Sequence, residues 1–357
     1  MISANRRWLT ALSLIVLALL AGCQVEANDP PPAPSAAPAS ISTWYDIYFS
    51  DPNSPSAETL RGGPDQYLAG AIRQARLSVD VAAYDLDLWS IRDALIDAHR
   101  RGVTIRMITD SDNLDNREIQ DLKEAGIPVL GDRRESLMHD KFTIIDSQDV
   151  WTGSLNLTIN SAYRNDDNLV HIRSAELARD YTAEFEEMFV DDRFGLGSPA
   201  NTAYPILDVD GTSLEVYFSP DDGVQRQIVR LIQSAQESIQ FMAYSFTSDE
   251  IAEALLERAA SGVVVTGVLE EEQTHSNEGT EYDRLRAAGL DVRLDGNPDN
   301  LHHKVIIIDG KTVITGSYNF SKNAEIRNDE NLLVIHNSAI AARFQEEFRR
   351  VFNLGRR

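Results

Sequence analysis

Two stretches of this chain carry residues suited to one kind of chemistry. Residues 138–158 read MHDKFTIIDSQDVWTGSLNLT and residues 302–321 read HHKVIIIDGKTVITGSYNFS. Each sets a His two residues before a Lys and an Asp five residues beyond it, followed by Gly-Ser and an Asn. A Lys ammonium brings a point charge and three donors, while Asn amides and Ser hydroxyls add directional ones. His139, Lys141, Ser154 and Asn156 therefore make one half of a phosphate pocket, and His302, Lys304, Ser317 and Asn319 the other. With two imidazoles such a pocket can perform phosphoryl transfer unaided. One ring attacks phosphorus to give a phosphohistidine; the other protonates the leaving alkoxide, then activates water. A half-site offers one imidazole, and duplication supplies the second if the halves face each other about a pseudo-two-fold axis. No acidic cluster or Cys/His spacing of metal-ligand type stands beside them, so neither metal nor cofactor is expected.

The duplication extends well past the motif. Residues 139–170 and 302–333 align without gaps, and 16 of 32 positions are identical. Gly126 matches Gly289, and Phe185 and Phe189 match Phe348 and Phe352, all at an offset of 163. Ala83-Tyr84 matches Ala243-Tyr244, and Gly102 matches Gly262, at an offset of 160. Each copy is domain-sized and the folded part is large enough for two cores. We place the boundaries at 44–200 and 201–357, with Gly195–Pro205 as the joint.

Within each copy, strand and helix patterns alternate. Ser78–Tyr84 and Ser238–Tyr244 read as strands, Trp89–Arg100 as a helix, and Thr247-Ser-Asp-Glu250 as a capping box opening a helix to Ala260. Gly102 and Gly262 suit the position after a helix end. The copies close on amphipathic helices at 174–190 and 338–352. The runs Phe142–Ile145 and Val305–Ile308 read as strands buried on both faces, and Asp309-Gly310 signals a hairpin. The expected fold is α/β: two tandem α/β/α layered domains with the His and Lys pairs at one rim of each sheet.

H-x-K-x4-D followed by G-S-x-N and then N-x-E-N, twice in one chain, resembles the phospholipase D superfamily over roughly residues 45–353. The matching residues are His139, Lys141, Asp146, Gly153, Ser154, Asn156, Asn165 and Asn168, then His302, Lys304, Asp309, Gly316, Ser317, Asn319, Asn328 and Asn331. The resemblance implies a metal-independent phosphodiesterase with its active site between two similar domains. His139 is then the nucleophile and His302 the general acid, with Lys141, Lys304, Asn156 and Asn319 on the phosphoryl oxygens. It also implies that a carboxylate after the Asn orients a His ring. Copy two has Glu330 there; copy one departs from the pattern with Asp167, one methylene shorter. Asp146 and Asp309 complete the motif from the far ends of their strands, where bracing the fold suits them better than touching substrate.

Other residues carry plainer readings. His99, His171, His275 and His336 read as solvated loop residues, His303 as facing away from the catalytic ring, Trp151 as core, and Glu270-Glu-Glu272 as a solvated acidic loop. Arg133-Arg134 reads equally as a headgroup contact or as surface.

Arg6 and Arg7 precede an apolar run from Trp8 to Gly22, shorter than the roughly 20 residues a membrane span takes. It reads as a signal peptide, residues 1–22. Leu-Ala-Gly-Cys at 20–23 resembles a lipobox, which makes Cys23, the single Cys of the chain, a lipidation site. Residues 23–43 form a Pro/Ala-rich tether. The expected location is the bacterial cell envelope, at the outer membrane in a Gram-negative host.

Net charge is −23, and losing Arg6 and Arg7 makes it −25. So acidic a surface disfavours nucleic acid. A phospholipid and the membrane surface are the expected partners, with no obligate protein partner. Hydrolysis of a phospholipid is the reading favoured. An exported endonuclease and a non-catalytic lipoprotein that captures a phosphorylated ligand are the alternatives.

Overall fold

A computed structural model describes residues 44–356. The expected signal peptide, Cys23 and tether lie outside the described residues. Lobe one contributes β1 Tyr45–Phe49, β2 Ser78–Ala83, β3 Thr104–Thr109, β4 Val129–Gly131, β5 Lys141–Ile145, β6 Asp149–Gly153 and β7 Asn168–Arg173. Lobe two contributes β8 Ile206–Val209, β9 Thr212–Ser219, β10 Ser238–Ala243, β11 Val264–Leu269, β12 Asp291–Leu294, β13 Lys304–Ile308, β14 Thr312–Gly316 and β15 Glu330–His336. The first sheet runs β1-β7-β6-β5-β2-β3-β4 and the second β12-β11-β10-β13-β14-β15-β9-β8. Both are mixed: β2, β3 and β4 are parallel, as are β10, β11 and β12, and the remaining pairs are antiparallel.

The motif strands β5 and β13 lie inside their sheets, and every residue of both is buried. That explains their unbroken apolar runs. Each then turns back through a hairpin whose two central residues have positive φ: Asp146 and Ser147 at 53°, and Asp309 and Gly310 at 51° and 59°. Such turns match the right-handed twist of the flanking strands. The helix Trp89–Arg100 falls where the sequence places it, while the helix Asp249–Ala260 is capped by Ser248, one residue later than the capping-box reading.

The chain holds the two cores its length allows and one more. An outer cluster lies on each lobe, and a third is shared. The shared core joins Phe142, Ile144 and Val170 of one sheet to Val305, Ile307 and Leu333 of the other. Tyr181 and Phe185 of the helix Ala175–Phe189 enter it, as do Phe344 and Phe348 of the helix Ser338–Leu354. The closing helices are amphipathic because they pack between lobes. Two parallel bridges, Met138 with Asp329 and Leu301 with Asp166, stitch the lobes immediately before each motif His.

Candidate active site

The bridges carry each motif His onto the opposite lobe. The His139 amide donates to the Asp329 carbonyl at 2.9 Å, and the His302 amide to the Asp166 carbonyl at 2.9 Å. The carboxylates one residue further on then meet the rings crosswise. His139 Nδ1 lies 2.7 Å from Glu330 Oε2, and His302 Nδ1 lies 2.8 Å from Asp167 Oδ1. Asp167 reaches its ring despite its shorter side chain, and Ser154 Oγ donates to the same oxygen at 2.6 Å. With each Nδ1 occupied, Nε2 is the nitrogen left for chemistry.

The lysines follow the same symmetry. Lys141 Nζ donates to the His139 carbonyl at 2.9 Å and Lys304 Nζ to the His302 carbonyl at 2.8 Å, leaving donors for a ligand. Tyr84 stands edge-on to His139 at 5.2 Å, and Tyr244 to His302 at 4.8 Å. Sequence reasoning assigned these tyrosines no role, although their recurrence at an offset of 160 was the available signal.

Asn168 and Asn331 lock the lobes together. Asn331 Oδ1 accepts from the Lys141 amide at 3.1 Å while its Nδ2 donates to Thr152 at 2.7 Å. Asn168 Oδ1 accepts from Thr315 at 2.8 Å, and its Nδ2 lies 3.0 Å from His303 Nδ1. Gly153 and Gly316, at φ 147° and 149°, permit this approach: a Cβ there would overlap the carbonyl oxygens of Asn168 and Asn331.

Burial and like charge set the protonation states. Burial and the ammonium groups of Lys141 and Lys304 hold His139 well below the ordinary imidazole value. Burial also lowers His302, to about 4, against the pull of Asp167; Lys304 and Lys141 lower it further. Both lysines thus act on both rings, as a single site requires. Lys141 is brought down to about 8 by burial, against the nearby carboxylates, and burial beside Lys141 lowers Lys304. The carboxylates differ. Burial raises Glu330 to about 7 against Lys141; Asp167 is also pushed up by burial, but His302, Lys304 and Ser154 outweigh this and leave it lowered.

The remaining expectations divide. Asn156 and Asn319 each bury an amide oxygen that has no protein partner among the described residues. Ser154 and Ser317 are fully buried, and their hydroxyls accept from the amides of Asn168 and Asn331, at 3.1 and 2.9 Å. Asp146 and Asp309 stand apart from the site. Asp146 accepts from the amides of Arg76, Leu77 and Ser78, and Asp309 from those of Gln236, Glu237 and Ser238, at the opposite ends of β5 and β13. They are the motif members that stand outside the site, and as the sequence reading expects they brace the fold, clamping a helix-to-strand turn. Among the described residues, no group of three or more His, Cys, Asp or Glu is arranged to hold a metal ion.

Several plainer readings also change. His171 and His336 sit on strands, paired with Asp149 and Glu215 at 2.7 Å, not in solvated loops. Glu270 is buried and accepts from the Leu301 amide at 2.5 Å. Arg134 pairs with Asp329 of the other lobe.

Behind the imidazoles the lobes diverge. In lobe two, His303 lies 3.1 Å from Glu347, and Arg350 reaches Glu347 and Asp166 at 2.5 Å. The matching positions, offset by 163, are Asp140, Glu184 and Glu187 of lobe one and Asp329 of lobe two. A His and an Arg are replaced by acids. All four are buried, and neither Asp140 oxygen has a protein partner among the described residues. Burial and Asp329 raise Asp140 well above the ordinary carboxyl value, and burial raises Asp329 to about 7 in spite of Arg134.

Two imidazoles oriented through Nδ1, each with its motif lysine's ammonium on the ring residue's own carbonyl, define a duplicated phosphodiester-transfer enzyme. Comparison with known proteins places it. The family model described as "Cardiolipin synthase, PLD-like domain" matches residues 68–189 and again 228–352. The chain is 32% identical to a phospholipase D of Rickettsia prowazekii over 167 residues, 47% of this chain and 81% of that protein. It is also 32% identical to a mitochondrial cardiolipin hydrolase of Chlamydomonas reinhardtii over 121 residues, 34% of this chain and 54% of that protein. Among solved structures, the phosphatidylserine synthase of Haemophilus influenzae superposes with a TM-score of 0.64 at 15% identity. That superposition covers 85% of this chain and 86% of the other, a likeness of fold. The chain belongs to the phospholipase D superfamily and is a phosphodiesterase of that family.

Proposed function

We propose that this chain hydrolyses a phospholipid at its headgroup-side phosphodiester, releasing phosphatidate and an alcohol without a metal. The crossed pairing of His139 with Glu330 and His302 with Asp167 carries this reading. Neutral His139 donates Nδ1–H to Glu330 and attacks phosphorus through Nε2; the P–N bond forms as the P–O bond to the alcohol breaks. His302, backed by ionised Asp167, gives the departing alkoxide its proton. It then takes one from water, which cleaves the phosphohistidine. The bound phosphodiester anion restores the positive charge that burial takes from the two lysines and from His302. Lys141, Lys304, Asn156 and Asn319 hold the phosphoryl oxygens. An alcohol that reaches the intermediate replaces water, which gives transfer as a side activity.

The Rickettsia and Chlamydomonas relatives, named for phospholipid and cardiolipin hydrolysis, support a phospholipid substrate. The net charge of −23 supports it over a polyanionic nucleic acid. We also propose export, lipid attachment at Cys23 and residence in the cell envelope, which concentrates substrate at the enzyme.

Full-length protein is assayed on phospholipid vesicles and on single-stranded DNA at physiological salt. His139→Ala and His302→Ala each lower vesicle turnover by about a thousandfold or more. Rapid denaturation in detergent at mildly alkaline pH, where the P–N bond survives, traps phosphoprotein in the wild type and none in His139→Ala. Faster cleavage of DNA than of lipid, or near-normal turnover in either variant, rejects the proposal. EDTA leaves the rate unchanged, and Cys23→Ser moves the protein from the membrane to the soluble fraction.

A further inference from the structure

On lobe one, the helix Asp65–Gln74 and one face of β1, β7 and β6 enclose a cleft of about 770 Å3. It reaches Asp146, at the end of the sheet remote from the imidazoles. Four near-parallel rings line it. Tyr67 stacks on Tyr48 at 4.0 Å, Tyr48 faces Trp151 at 6.0 Å, and Trp151 stacks on His171 at 4.5 Å. Tyr67 is 53% exposed, and the buried indole N–H of Trp151 has no protein partner among the described residues.

Lobe two shows what fills the equivalent space. Asp146 and Asp309 bind matching amides at an offset of 160, so Gly70 corresponds to Arg230 and Tyr67 to Gln227. Tyr48 and Asp46 correspond to Tyr217 and Glu215, which hold the same places opposite the strands β7 and β15. The Arg230 guanidinium bonds Glu215, and its Nε donates to Gln227 at 2.9 Å. Glu215 also accepts from Tyr217 and pairs with His336, each at 2.7 Å. In lobe one, a Cβ at Gly70 would meet nothing within 4 Å, and its φ is not positive. Neither a turn nor a close contact accounts for a residue that weakens a helix interior relative to Ala. Among the described residues Asp46 keeps a single side-chain partner, His171 at 3.2 Å.

We propose that the lobe-one cleft binds an organic cation, an alkylguanidinium or alkylammonium group of a ligand outside this chain, where Arg230 sits in lobe two. The stack covers the inner ring faces with one another, but the exposed Tyr67 ring and the Asp46 carboxylate line the cleft together, a pairing that recognises such a cation. The other charges leave that end free for it. Asp149 is paired with His171 at 2.7 Å and lies 3.8 Å from Arg173, and Arg76 stands beside Asp146 at the far end. The Asp46–Tyr48–Tyr67 end is therefore the negative one, and the Trp151 N–H supplies a donor for an oxygen on the same ligand.

Full-length protein in detergent is titrated with choline, with ethylguanidinium and with 3,3-dimethylbutan-1-ol, the neutral isostere of choline. Tryptophan fluorescence and calorimetry provide the readouts. Both cations bind, and the neutral alcohol binds at least about tenfold more weakly. Gly70→Arg, which installs the lobe-two residue, abolishes binding; Gly70→Ala retains it. Both variants keep wild-type turnover of a soluble phosphodiester, which shows that they fold. Asp46→Asn weakens the cations and leaves the alcohol unchanged. Competition by phosphatidylcholine vesicles but not by phosphatidylglycerol vesicles assigns the cation to a lipid headgroup; competition by neither assigns it to a soluble ligand. No saturation by either cation up to about 10 mM overturns the proposal. So does equal binding of the neutral alcohol, or undiminished binding in Gly70→Arg.

Discussion

Replacing Asp140 by Asn removes one acid from the buried quartet of Asp140, Glu184, Glu187 and Asp329 at nearly constant volume. Asp140 is fully buried, and among the described residues neither of its oxygens has a hydrogen-bond partner. It faces Asp329, Glu330 and Glu187, with Lys141 the one cation among its main neighbours, and burial raises its carboxyl well above 3.8. The sign follows from which state holds the proton. Below the unfolded value, near 4, both states are protonated and Asp140 costs nothing. Above it the unfolded chain ionises first while the folded chain keeps its proton, so wild-type stability falls as pH rises. The fall continues until the folded carboxyl also ionises. One proton corresponds to a slope of about 1.4 kcal/mol per pH unit. Urea unfolding of both proteins from pH 5 to 7 is the assay. Asp140→Asn gains on the wild type by up to about 1.4 kcal/mol for each pH unit. Any fixed cost of burying the amide shifts the curve without changing its slope. Parallel curves, or a wild type that gains on the variant, refute the reasoning.

Asp309→Asn acts with the opposite sign. Burial alone would raise that carboxyl, but the backbone amides it accepts from outweigh this and hold it low. Its contribution is therefore present above the ordinary Asp value and is lost as pH falls through the lowered one. The variant loses about 1–3 kcal/mol at neutral pH by urea unfolding, while its kcat stays within about twofold of wild type because no atom of the site moves. Gly316→Ala places a methyl group on the Asn331 carbonyl oxygen at a φ of 149°. It lowers stability by about 2 kcal/mol or more and reduces turnover, since Asn331 holds the Lys141 amide. Unchanged melting and rate would show that the lobe interface yields more readily than its packing implies.

Much of this was legible in the sequence because duplication makes a signal visible. A lone His before a Lys says little; the same spacing repeated with Gly-Ser and Asn named both half-sites and the strands beneath them. The hairpins and the helix Trp89–Arg100 followed from local rules. The crosswise partnership did not, because it depends on how the lobes meet, which no local pattern encodes. Nothing in the spacing of Asn165-Asp-Asp-Asn168 says that Asp167 serves the ring 135 residues away. The partners of His171 and His336 were hidden for the same reason: Asp149 and Glu215 lie on neighbouring strands. The shared third core was not legible because an amphipathic closing helix shows one apolar face, but not which sheet it covers.

The exchange of ring partners bears on how such an enzyme can change over time. In an assembly of two identical chains, every substitution arrives twice, once on each side of the axis, and each side must tolerate it. Two copies joined in a single chain escape that constraint. Asp167 can face one ring while Glu330 faces the other, and an all-acid pocket can stand across from a neutralised one. Neither copy can leave, however, because each keeps the other's imidazole in position. Covalent linkage has released the halves from resemblance while binding them to a common fate.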